Sequence, residues 1–151
     1  MTSSSLISPL SPQQLADAVS QAMLAQDRVA QDLSIHLLSV GAGSATMTMT
    51  VQERMLNGFA ICHGGYITLL ADTAFAYACN SYNDVTVASS LGIEFIAAVQ
   101  GGDVLTAKAT EISLAGRTGL YDIDISNQDG KRVAVMRGRS YRLKDKKMLA
   151  L

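Results

Sequence analysis

Residues Asn57-Gly58-Phe59-Ala60-Ile61-Cys62-His63-Gly64-Gly65 run into the most apolar stretch of the chain, Tyr66 to Ala76, and that stretch carries one carboxylate, Asp72. An isolated carboxylate in apolar surroundings costs on the order of several kcal/mol in desolvation unless it is paired or neutralised. A chain that keeps one there has a use for it. The glycine pair supplies a complement, because a helix that begins at bare glycines presents unobstructed N–H groups at the positive end of its dipole. Together they suggest an acid and an oxyanion hole. The competing reading makes Asp72 a structural carboxylate bonded to a helix start or a tyrosine, and Asn57-Gly58 an ordinary turn.

The elements that must position these groups follow from periodicity. Residues 1–10 are serine-rich and read as a flexible start. Ser11-Pro12 with Gln14 opens a helix, and Leu15, Val19, Ala22, Met23 and Val29 recur along it at helical spacing. A short strand over Leu33 to Val40 and the turn Gly41-Ala42-Gly43 precede a second strand in which Met47, Met49 and Val51 alternate with threonines. The apolar stretch predicts a central helix from Gly64 to Tyr82. Strands follow it. Val85, Val87, Leu91, Ile93 and Phe95 share one parity, Gly101-Gly102-Asp103 is a turn, and Val104 to Leu114 is extended. Tyr121, Ile123 and Ile125 alternate before a hairpin turn at Asn127-Gln128-Asp129-Gly130 leads into Arg132 to Leu143. The expected fold is α+β, a curved antiparallel sheet wrapped around a long central helix, in a single domain over 11–143 with a tail at 144–151.

Composition narrows the function. A length of 151 residues fits one domain, and 48% hydrophobic against 17% charged residues leaves little polar surface for a monomer, which favours an oligomer. A net charge of -1 argues against a nucleic-acid partner. Cys62 and Cys79 make neither a CxxC nor a metal spacing, so a reduced, cytoplasmic setting without a metal site is expected. The first Lys or Arg is Arg28, so no signal peptide is read. His63, the glycines and Asp72 would be costly in a bilayer, so no membrane span is read either.

Asn57-Gly58, His63-Gly64-Gly65 and Leu70-Ala71-Asp72 followed by Thr73-Ala74-Phe75-Ala76 resemble the hotdog-fold thioesterases, most closely the phenylacetate-pathway acyl-CoA thioesterases of the PaaI type. The resemblance runs from the N-terminal helix to Leu143. It implies hydrolysis of a coenzyme A thioester, with an aryl-acetyl group favoured, at a subunit interface and without a metal or redox cofactor. It also implies a homodimer or a homotetramer built as a dimer of dimers. The roles that go with it are Gly64 N–H as oxyanion donor, Asp72 as general base or nucleophile, and Asn57 as a polar residue that orients acyl group or water. Gly65 adjoins the substrate, His63 shapes the loop, and Ser89 or Ser90 holds the attacking water.

Geometry adds its own argument for the dimer. Gly64 and Asp72 lie eight residues apart on one helix, about 12 Å of rise. A carboxylate acting on a carbonyl at the helix start must come within roughly 3 Å of the reacting atoms or their water. One subunit's pair cannot meet, whereas two antiparallel helices across a two-fold axis place Asp72 of one near Gly64 of the other. Eight of the 12 Lys and Arg fall between Lys131 and Lys147, which makes Arg137 and Arg139, with Arg117, candidates for the coenzyme's phosphates. A solvated strand and tail would explain the same bias. Two other activities fit such a domain, an acyl-thioester dehydratase or hydratase and a non-catalytic acyl-thioester binding protein.

Overall fold

The computed structural model describes residues 8–151; the flexible start expected over 1–10 lies mostly outside that range, and Ser8, Pro9 and Leu10 are exposed without regular structure. Helix α1 (Pro12–Gln26) begins in a closed capping box between Ser11 and Gln14. It stops short of Val29. Asp27 interrupts it and accepts from the Ala30 N–H at 2.9 Å, starting a second short helix, α2 (Arg28–Asp32). Val29 is thereby turned off the apolar face of α1 and stands exposed.

Strands β1 (His36–Gly41) and β2 (Ser44–Thr50) lead through a 3-10 turn at Glu53–Met55 to the central helix α3 (Gly64–Asn80). Then come β3 (Asp84–Phe95), β4 (Val104–Ala115), β5 (Thr118–Ser126) and β6 (Arg132–Lys147). The strands form one sheet in the order β1-β2-β4-β5-β6-β3, with every neighbouring pair antiparallel. Alternation sends Met47 and Met49, Leu105, Ala107 and Ala109, and Tyr121, Ile123 and Ile125 into the core, where α3 contributes Leu70, Ala71, Ala74, Phe75 and Ala78. Contact is close at Gly138 of β6, where a Cβ would come within 2.8 Å of the Phe75 ring. The sheet therefore curls around α3, and the fold is the hotdog.

The end of β6 and the course of β3 also differ from expectation. Residues 144–147 continue β6, tied by Lys147 Nζ to Asp84 at 2.6 Å, and the Leu149 N–H donates to Asn83 Oδ1 at 2.7 Å, so the first half of the segment read as a tail is sheet. In β3 the register slips between Ala88 and Ser90. A bulge at Ser89 divides the strand. Thr86 and Ala88 face α3 before it, and Leu91, Ile93 and Phe95 face α3 after it, so the parity that joined Val85 and Val87 to Leu91 does not hold.

The two sheet edges are treated differently. Helix α1 packs on β1, where Gln13 Nε2 donates to the Val40 carbonyl at 2.7 Å. Among the described residues β3 pairs only with β6. Its other side is open, and Val87, Leu91 and Phe95 along it are exposed. Among the described residues no helix is long and apolar enough to cross a membrane.

Candidate active site

The loop before α3 is pinned at both ends, by Cys62 N–H to Val99 O and His63 N–H to Met55 O, each 2.8 Å. Asn57 shapes its interior. The Asn57 side-chain oxygen accepts from Phe59 N–H at 2.9 Å and Ile61 N–H at 3.4 Å, a turn that carries Ala60 into the left-handed region at φ 57°. This commits the amide oxygen and leaves the Asn57 NH2 without a partner among the described residues.

His63 is the N-cap of α3, and its Nδ1 accepts from the Gly65 N–H at 2.9 Å. That bond uses the Gly65 donor and fixes the imidazole as a structural element of the helix start. Gly64 N–H, one position earlier, has no acceptor among the described residues and sits at the positive end of a 17-residue helix. A cavity of about 390 Å³ opens beside it, walled by Asn57, Ile61, Gly64, Ile67, Phe95 and Val99. A Cβ on Gly64 would lie 2.8 Å from Phe95 Cζ, so a glycine is needed here for the aromatic ring as well as for any ligand.

Asp72 lies further along α3, half-buried on the face turned from the sheet, and does not reach Gly64 within one chain. Burial raises its carboxyl above the ordinary range, with no partner charge or hydrogen bond contributing. Neighbouring hydroxyls are occupied: Thr68 donates to Gly64 O and Thr73 to Leu69 O, both at 2.8 Å. Thr68, Leu69, Thr73 and Ala76 thus give this face an apolar surface with Asp72 as its charge.

The remaining candidates spread over the sheet. Ser89 is the bulged residue, its hydroxyl donating to Arg139 O at 3.1 Å, while Ser90 stands opposite Arg139 on the face away from α3. Arg137 shares that outer face and is committed to Asp122 by two bonds of 2.7 and 2.9 Å, which hold the Asp122 carboxyl below its usual range. Arg139 has no carboxylate partner among the described residues. Arg117 lies at the opposite end of α3 from Gly64, in a smaller cavity of about 210 Å³ shared with Cys79, Tyr82, Ser140 and Arg142. Arg142 and Phe95, which line these two cavities, are not among the candidates named from the sequence. Phe95 carried only its strand parity, and the bulge that aims it at Gly64 has no mark in composition.

Both cysteines are buried, and burial pushes the Cys62 thiol up to about 11 and the Cys79 thiol to about 12, so both stay protonated and serve packing. Among the described residues no cluster of three His, Cys, Asp or Glu side chains could hold a metal ion.

The model of the thioesterase superfamily matches residues 59–134, from the loop before α3 into β6, and the chain belongs to that family. The chain is 48% identical over 122 residues to the acyl-coenzyme A thioesterase PaaI of Escherichia coli K12, covering 81% of this chain and 87% of that protein. The solved structure of E. coli PaaI, described as from the phenylacetic acid degradation operon, superposes with a TM-score of 0.86 at 46% identity, covering 88% and 96% of the two chains. A hypothetical thioesterase from Streptococcus pneumoniae solved with coenzyme A is 25% identical, with a TM-score of 0.71 over 75% of this chain and 91% of that one.

Proposed function

We propose that the protein hydrolyses acyl-coenzyme A thioesters, with an aryl-acetyl group favoured, at sites shared between two copies of the chain. One observation carries the reading: the free Gly64 N–H and the partnerless, raised Asp72 carboxyl lie on one helix at a separation that forbids joint action within a chain. An antiparallel pairing of two α3 helices brings Gly64 against the partner's Asp72. The open edge of β3 and the apolar free face of α3 support that pairing, and the curated and coenzyme-bound relatives support the substrate class. A tetramer of two such dimers would use a further surface of each chain.

In the proposed site the thioester carbonyl oxygen accepts from Gly64 N–H, and the helix dipole stabilises the oxyanion. Asn57 NH2 is the second donor within the cavity. The partner's Asp72 either removes a proton from water, whose hydroxide adds to the carbonyl carbon, or attacks that carbon itself to give an anhydride that water then opens. In both routes the carbon–sulfur bond breaks and the coenzyme leaves as a thiolate that takes up a proton. A raised carboxyl pKa makes Asp72 the stronger base. The antiparallel arrangement also brings the Arg117 end of one subunit beside the Gly64 end of the other, which favours Arg117 and Arg142 as phosphate ligands over Arg137. Ser89 and Ser90 remain proposals for water positioning across the interface.

Dehydratase chemistry needs a second proton-moving group at the acyl chain. His63 has its Nδ1 committed to the helix start. Release of free thiol from a panel of aryl and alkyl acyl-coenzyme A esters is the test, with Asp72→Asn expected to lower turnover by at least about 100-fold while retaining the fold. An enoyl or hydroxyacyl product would select the hydratase reading, saturable binding without turnover the binding-protein reading. Near-normal turnover by the variant would remove Asp72 from the chemistry.

A further inference from the structure

We propose that Phe95 reads the acyl group, favouring a flat aromatic ring over a saturated ring of the same size. The inference rests on the thioesterase reading of the Gly64 end of α3 and goes beyond it by naming the residue that sets acyl preference. Phe95 is 53% exposed in the single chain and stands at the wall of the cavity beside the β3 edge proposed to meet a second copy. Exposure alone would mean little. Its position decides the matter: Cζ lies 2.8 Å and both Cε atoms 3.2 Å from the place a Gly64 Cβ would take. A carbonyl oxygen bonded to the Gly64 N–H sits about 3 Å from that nitrogen. The atoms following the carbonyl are therefore in van der Waals reach of the ring.

Two branches leave a thioester carbonyl, and the cavity suits one of them. Ile61, Ile67 and Val99 make its wall aliphatic, Asn57 and Gly64 supply its polar groups, and no charged residue of the same chain lines it, so the charges of the proposed shared site arrive from the other subunit. The coenzyme arm carries amides and leads to phosphates, which need donors and cations. The acyl branch needs neither. Within this wall Phe95 is the aromatic residue, so a ring in the acyl group gains an offset or edge-on partner there that a saturated ring of equal bulk does not.

The test uses two uncleavable coenzyme A thioethers that keep a carbonyl, one carrying phenacyl and the other the cyclohexyl ketone of the same carbon count, titrated calorimetrically into the full-length protein. Wild type should bind the phenacyl compound roughly three- to tenfold more tightly. Phe95→His keeps a flat ring without adding an atom at the Cζ that abuts Gly64, and should retain a preference for the phenacyl compound. Phe95→Leu keeps apolar bulk and should bring the ratio to about one, with folding checked by thermal unfolding. A ratio near one in wild type, an unchanged ratio in Phe95→Leu, or no binding of either compound to wild type would overturn the proposal. Neither compound is cleaved, so the ratio reports on Phe95 independently of turnover, and failure of wild type to release thiol from acyl esters would sink the hydrolase reading alone.

Discussion

Asp72 is held half-buried without a partner, so the folded chain keeps its proton more tightly than the unfolded chain does. For an acid raised in this way, stability declines as pH climbs from the ordinary carboxyl range through the folded pKa. Below that window both states are protonated and the penalty vanishes. Above it the penalty is present in full. Asp72→Asn removes the charge, so the variant should melt at or above the wild-type temperature at pH 7 and level with it near about pH 3. Thermal unfolding at the two pH values checks this, and a variant clearly less stable at pH 7 would make the carboxylate a structural group. Asp72 and Gly64 were legible in the sequence because each departs from its surroundings by residue type alone. The commitment of Arg137 to Asp122 was not, since residues 15 apart meet only through the β5–β6 register.

At the scale of the element, the start of α3 depends on His63. His63→Ala removes the acceptor of the Gly65 N–H, which should cost about 1 kcal/mol of stability and blur the position of Gly64. His63→Asn retains a capping oxygen. It should keep near-native stability and most of the thiol release, whereas a proton-transferring histidine would lose turnover by about 100-fold on the same change. Melting curves and initial rates of both variants separate the two roles. Helix α3, β2, β5 and their turns were readable because their apolar periods are unbroken. The end of α1 and the face assignment of β3 were misread for one reason, that a single residue shifts the phase: Asp27 restarts a helix and Ser89 adds a residue to a strand.

For the whole molecule, the proposed shared site makes a quantitative demand. A Gly64→Val subunit, whose side chain would collide with Phe95 and mask the donor, and an Asp72→Asn subunit should each be inactive alone. Their heterodimer contains one site with both defects and one with neither. Random exchange of equal amounts makes about half the dimers mixed, each with one working site of two, so mixing should recover roughly a quarter of wild-type activity. Confirmed mixed dimers as inactive as their parents would refute the shared site. Composition favours assembly without naming a surface; the sheet order supplies the candidate, since among the described residues it leaves β3 uncovered while α1 packs on β1.

The uncovered edge also bears on how the protein fails. A 12-residue strand with one free side is a template onto which any extended chain can dock, and growth by such docking has no natural end. Pairing β3 with its own copy about a two-fold axis would use up both edges at once and close the assembly. The bulge at Ser89 bends the strand away from continuous pairing, and the helix over β1 guards the other border. Quaternary structure would then act as quality control, and chains crippled in assembly would be lost as insoluble material instead of accumulating as folded monomers.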